Sequence, residues 1–139
     1  MPRLGQGGFQ ACLQGVWDQA TNKATLSRTV IGKPYAHTYN YAEGVLNDYR
    51  EKMLSGEGET KRPVRKLKRV FMVGDNPESD IRGANEYESP HGTEWTSVLV
   101  KTGVYNAGSQ PNYMPKVIVD DVLAAVRWAL KEEGWDNIA

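Results

Sequence analysis

The sequence predicts an α/β fold built on a parallel sheet, and three observations predict it. Short apolar, β-branched runs stand at 29–31, 68–73, 97–100 and 117–119. Stretches with helical apolar spacing alternate with them. The runs are followed by turn or cap residues: Gly32-Lys33-Pro34, Gly74-Asp75, Thr102-Gly103 and Asp120-Asp121. Open α/β sheets carry their ligand loops at these carboxyl ends.

Each element follows from its residues. Phe9, Leu13, Val16, Trp17 and Ala20 lie on one face of a helix that stops near Thr21-Asn22. Gly5-Gln6-Gly7-Gly8 before it reads as a flexible connection rather than a phosphate cradle, since no strand precedes it. Thr29-Val30-Ile31 is a strand ended by Gly32-Lys33-Pro34. Tyr39, Ala42, Leu46, Tyr49 and Met53 mark a second amphipathic helix. Residues 55–66 combine glycine, proline and charge without an apolar period, the composition of a mobile loop. Residues 68–73 are the next strand. Asn76 followed by Pro77 is an N-cap with proline at N1, starting a helix that runs to about Asn85. Ser97-Val98-Leu99-Val100 and Val117-Ile118-Val119 are two more strands, separated by a loop over 104–115. Asp120-Asp121 caps a last helix whose apolar face is Val122, Ala125, Val126, Ala129 and Leu130.

Composition sets the bounds. The 139 residues suit one compact domain, read as 1–139 without an internal linker. Lysine plus arginine is 17 and aspartate plus glutamate is 17, so no global field draws nucleic acid or an anionic membrane. No apolar run approaches the roughly 18–20 residues of a membrane span. The only cysteine, Cys12, has no internal disulfide partner, which fits a reducing, intracellular compartment. His37, His91 and Cys12 have no zinc spacing. The basic run Lys61, Arg62, Arg65, Lys66, Lys68, Arg69 sits beside Glu57 and Glu59 without interleaved aromatics, and reads as a solvated loop. Trp128 and Trp135 serve packing or a partner equally well.

The chemistry concentrates in Gly74-Asp75-Asn76-Pro77-Glu78-Ser79-Asp80. Asp75 stands just past a strand's carboxyl end. Asp80 lies in the first turn of the next helix, where the helix dipole favours its charge and it can turn back toward Asp75. Mg²⁺ takes one or two carboxylates, several waters and a phosphate oxygen. By geometry alone the pair serves equally well as a turn former and a helix-dipole partner. Lys33 is suited to neutralising a phosphate or carboxylate, although a solvated lysine beside a turn is the commoner case.

Taken together, Lys33 after one strand and the run GDNPESDIRGAN (74–85) after another resemble the third and fourth motifs of the haloacid dehalogenase superfamily of phosphatases and related hydrolases. The run is similar to that of subfamily IIA. The segments PRLGQGGF (2–9), IGKPYAHTYNYAE (31–43), LVKTGVYN (99–106) and VIVDDVLAAV (117–126) resemble most closely the cat eye syndrome critical region protein 5-like members. The resemblance covers nearly the whole chain outside 55–66.

It implies the C-terminal part of a Rossmannoid three-layer core with a parallel sheet, lacking the first two strands and the inserted cap. It also implies Mg²⁺ as cofactor, with Asp75 as a direct ligand and Asp80 holding the metal's water shell or orienting the loop. Lys33 would pair with the nucleophilic aspartate and the transferring phosphoryl group, while Gly74 and Asn76 shape the metal loop. The family's nucleophilic D-x-D and its second-motif serine or threonine have no counterpart here; Asp120-Asp121, Thr29 and Thr102 lie elsewhere in the pattern.

The expectation is therefore a fragment that is not catalytically competent unaided; a reading frame continuing upstream into an apolar strand and D-x-D-G would make Met1 an internal methionine, and a true start at Met1 favours the alternative below. The parent would act on a phosphorylated small molecule, in the cytoplasm or a mitochondrion. A missing N-terminal half or a partner chain would complete it. The alternative is a non-catalytic interaction or binding module that keeps the half-fold.

Overall fold

The structure, a computed structural model, describes residues 5–54, 66–106 and 108–135. It divides into two compact units, Met1–Val30 and Ile31–Ala139. Most of the loop assigned to 55–66 lies outside the described residues, as do Lys61, Arg62 and Arg65 of the basic run.

The first unit is built on helix α1 (Gln6–Thr21). It begins in the glycine-rich stretch read as a flexible connection: Gly5 is the N-cap, and the Gly8 amide donates to the Gly5 carbonyl at 3.0 Å. Glycine's low helix propensity hid that turn, which is carried by the apolar-periodic turns behind it. The helix stops where expected, with Asn22 left-handed at φ 52°. The Trp17 indole donates to the Ala24 carbonyl and ties down the exit. The expected inner face does not bury: Phe9, Leu13 and Val16 are exposed.

The second unit contains α2 (Ala36–Leu54), β1 (Arg69–Gly74), a π-helical turn (Pro77–Ile81) running into α3 (Arg82–Glu86), β2 (Glu94–Val100), β3 (Val117–Val119) and α4 (Val122–Glu132). Residues 29–31 form no strand, and Ile31 is 79% exposed. A β-branched run needs a ladder partner to become a strand, and none of the described strands pairs with it.

The three strands are parallel in the order β1-β2-β3. Their register, with Val73 opposite Val98 and Val98 opposite Val117, lines one face with Phe71, Val73, Val98, Val100, Val117 and Val119. Ala125 and Trp128 of α4 cover that face, and Trp128 meets Phe71 edge-on at 5.9 Å. Asp121 caps α4 by accepting from the Ala124 amide at 2.8 Å. The buried side of α4 is narrower than its apolar spacing suggests, since Val122, Leu123 and Val126 remain exposed.

On the opposite face Tyr39 of α2 clusters with Ala84 and Tyr87, and Met72 and Trp95 pack against them. The described core is thus a three-layer α/β arrangement with both sheet faces covered, as parallel sheets require. The C-terminal half of α2 contributes little to it, for Tyr49 and Met53 of its apolar stripe are exposed. Among the described residues no helix is long and apolar enough to cross a membrane.

Gly83 in α3 is held to its type by packing: a Cβ there would run into the Tyr39 ring and hydroxyl. Gly83→Ala is expected to destabilise the fold by about 1–3 kcal/mol through overpacking, measured as a lowered urea midpoint.

Candidate functional site

The site stands at the carboxyl end of β1 and β2, where three loops meet. The first is the turn before α2. Gly32 adopts φ 123°, a conformation that disfavours a side chain, and its amide donates to Thr38 Oγ1 at 2.9 Å. Its carbonyl accepts from the Tyr35 amide at 2.9 Å. The turn contains a cis Lys33–Pro34 bond. It delivers the Lys33 ammonium to Asp80 Oδ1 at 2.5 Å, although no strand leads into it.

The second loop follows β1. Asn76 caps the π-helical turn, its side chain accepting from the Glu78 amide at 2.9 Å, with Pro77 in the first turn. Proline has no amide to leave unsatisfied there. The backbone then widens: the Asn76 carbonyl accepts from the amides of Asp80 and Ile81 at 2.9 and 3.4 Å. Such π turns are frequent at functional positions.

The wide turn points Asp80 back into the loop, where its side chain is only 3% exposed. A carboxylate so far from water needs charged or hydrogen-bonding partners. Asp80 has Lys33 on Oδ1 and the Asn76 amide on Oδ2 at 3.1 Å. Gly74 makes room for it, since a Cβ at that position would strike the Asp80 carboxylate.

The third loop follows β2. Gly103, at φ 98°, faces Asp75, and a Cβ on Gly103 would collide with the Asp75 carboxyl group. The next amide, that of Val104, donates to Asp75 Oδ2 at 2.7 Å. Asp75 is thus held by one oxygen.

Lys33, Gly74, Asn76 and Asp80 meet in direct contact, and Asp75 is held beside them at the end of the same strand. Sequence reasoning missed Gly103 and Val104, although a glycine just past the end of a strand was the available signal. It also missed Tyr39 and Glu43. The Tyr39 hydroxyl donates to the Ser79 and Asp80 carbonyls at 3.0 and 3.2 Å. Burial, helped by the nearby Asp80 charge, pushes its pKa up to about 12, so it stays a donor at ordinary pH.

Glu43 is fully buried. It accepts from Thr93 at 2.7 Å, Ser89 at 2.8 Å, Trp95 at 3.2 Å and Tyr87 at 3.3 Å. Burial pushes its pKa upward, but these donors together outweigh it and leave the carboxyl below its ordinary value. A charged residue one turn after Tyr39, on the stripe read as apolar, was the signal for it.

The fit to a divalent ion can be judged from this geometry. Among the described residues no group of three or more His, Cys, Asp or Glu could hold a metal. Mg²⁺ does not need one, because it keeps most of its waters. Asp75 keeps Oδ1 unbonded among the described residues, while Gly103 makes room for Oδ2. That suits one direct carboxylate ligand. Asp80, with both oxygens engaged, is better suited to orienting the loop and its waters than to direct ligation.

Comparison with known proteins places this geometry in context. A family model described as HAD-hydrolase-like matches residues 30–125. A cardiolipin synthase (CMP-forming)/mitochondrial hydrolase fusion protein of Schizosaccharomyces pombe is 44% identical over 132 residues, covering 95% of this chain and 20% of that protein. A mitochondrial hydrolase of Saccharomyces cerevisiae is 40% identical over 142 residues, covering 94% of this chain and 38% of that protein. The chain therefore spans less than two-fifths of the length of either relative.

Proposed function

The chain belongs to the HAD-hydrolase-like family, and from that premise we propose that it supplies the metal-and-lysine corner of a Mg²⁺-dependent phosphatase-type site. The observation that carries this reading is the Lys33–Asp80 ion pair, beside Asp75 at the end of β1. It puts a cation and two carboxylates at one rim, as neutralising the charge of a phosphoryl transition state requires. Asp75 is the direct ligand, and bound Mg²⁺ would polarise a phosphoryl oxygen. Asp80 orients the loop and the metal's waters, and Gly74 and Asn76 shape the corner around it. Lys33 holds Asp80 and offers its remaining N–H groups to the phosphoryl group of a phosphorylated small molecule.

The attacking carboxylate comes from outside these residues. The β1 edge is unpaired among the described strands and offers a parallel ladder to a segment that would bring it. The proposed source is a segment outside the 139 residues, on the same polypeptide or on a partner chain. The names of both relatives support a mitochondrial setting.

Two measurements test the reading. The 139-residue chain is expected to bind Mg²⁺ in a calorimetric titration, and Asp75→Asn is expected to abolish the binding. The chain is also expected to leave an aryl phosphate intact with Mg²⁺ present. Mg²⁺ binding equal in wild type and Asp75→Asn would overturn the metal assignment. Mg²⁺-dependent hydrolysis by the wild-type chain, lost in Asp75→Asn, would overturn the need for an outside nucleophile.

A further inference from the structure

The side of Asp80 away from Lys33 is its backbone, and that backbone is held from an unexpected direction. In the widened turn, the Ser79 and Asp80 carbonyls both accept from the Tyr39 hydroxyl, at 3.0 and 3.2 Å. Tyr39 is almost fully buried and belongs to α2, the helix that begins just after Lys33. A buried tyrosine hydroxyl needs a partner, but a main-chain carbonyl anywhere in the core would satisfy it. Here the ring reaches these particular carbonyls because Gly83 leaves its path clear.

The ring itself is clamped. It stacks on Tyr87 at 5.7 Å and 29°, and meets the edge of Trp95 at 5.2 Å and 75°. Tyr87 and Trp95 in turn both donate to Glu43, one turn along α2 from Tyr39. One carboxylate therefore orients both rings that fix the third.

We propose that Tyr39 is a positioning residue for this site: its hydroxyl sets where the Asp80 carboxylate stands, and Glu43 holds the aromatic clamp that sets Tyr39. The proposal rests on Asp80 belonging to the site. Asp80 is then held twice from one stretch of chain, through Lys33 of the turn before α2 on the carboxylate and through Tyr39 of α2 on the main chain.

Tyr39→Phe removes the hydroxyl and keeps the ring. The amide of Asn76 reports the outcome, because it donates to Asp80 Oδ2. Its hydrogen exchange, followed by NMR in the full chain, is expected to accelerate about tenfold in Tyr39→Phe, the worth of one net hydrogen bond. Trp128→Phe, which loosens packing on the opposite sheet face, is expected to leave Asn76 unchanged. Wild-type Asn76 exchange in Tyr39→Phe overturns the proposal. So does equal acceleration in Trp128→Phe, since Asn76 would then report only global stability. Mg²⁺ affinity of the wild-type chain, measured alongside, tests the metal reading separately, so failure of one is distinguishable from failure of the other.

Discussion

Replacing Glu43 with alanine is expected to lower the stability of the Ile31–Ala139 unit by about 3 kcal/mol, a large share of what holds a domain of this size together. The loss has two parts. Truncation leaves a cavity in the layer between α2 and the sheet. It also strands donors that were aimed at the carboxylate. Thr93 keeps the Leu67 carbonyl at 3.1 Å, and Tyr87 retains only a long contact to Asn40 at 3.5 Å. The Trp95 indole loses its acceptor outright. A urea titration followed by tryptophan fluorescence reads the change. Glu43→Gln keeps the volume and one acceptor oxygen, and is expected to cost about half as much. Equal stability of Glu43→Ala and wild type would mean the four hydrogen bonds contribute nothing net.

The same carboxylate fixes a pH dependence. Its folded pKa lies below the ordinary 4.5. The unfolded chain therefore binds the proton first, and Glu43 contributes its full stabilisation above about that value. The contribution is lost as pH falls below 4.5 and through the folded pKa. Glu43→Gln should flatten the acid limb of a stability profile and leave the neutral region parallel to wild type.

A large effect on the site from a residue that touches no ligand is expected from Gly103→Ala. At φ 98° an alanine is strained by about 1–3 kcal/mol wherever it sits. Here its methyl group also enters the space of the Asp75 carboxyl group. Asp75 must rotate away and give up the Val104 amide, so Mg²⁺ affinity is expected to fall at least about tenfold, the worth of that charge-assisted hydrogen bond. Calorimetry with Mg²⁺ on the folded variant checks this. Unchanged affinity beside lowered stability would show that the Gly103 loop is scaffold only.

These residues mark where the sequence was readable and where it was not. The settings of Asp75 and Asp80 were legible because they are local: a strand end, a cap and a first helical turn are written within a few residues of each carboxylate, whereas the strand expected before Lys33 does not form. Asn76 and Pro77 announced the turn in the same way. Glu43 and Tyr39 were not legible, because what makes them functional is supplied 40 to 52 residues away, by Ser79, Asp80 and the donors between Tyr87 and Trp95. The run 29–31 failed for a related reason, since its apolar pattern records a propensity but a strand exists only against a partner. The face of α1 carried a correct helix period and an incorrect burial, as periodicity reports which residues share a side and not what covers it.

The strand order has a consequence in time. Each of the three strands pairs with the next one along the chain, β1 with β2 and β2 with β3. Among the described strands no ladder joins segments out of chain order, so closing the sheet needs only the helical crossover from β1 to β2 and the loop from β2 to β3. As the polypeptide leaves the ribosome, these strands can assemble as soon as β3 and α4 have emerged, in the order in which they are made. The Asp75 corner is complete once Gly103 and Val104, in the last of its three loops, have been made.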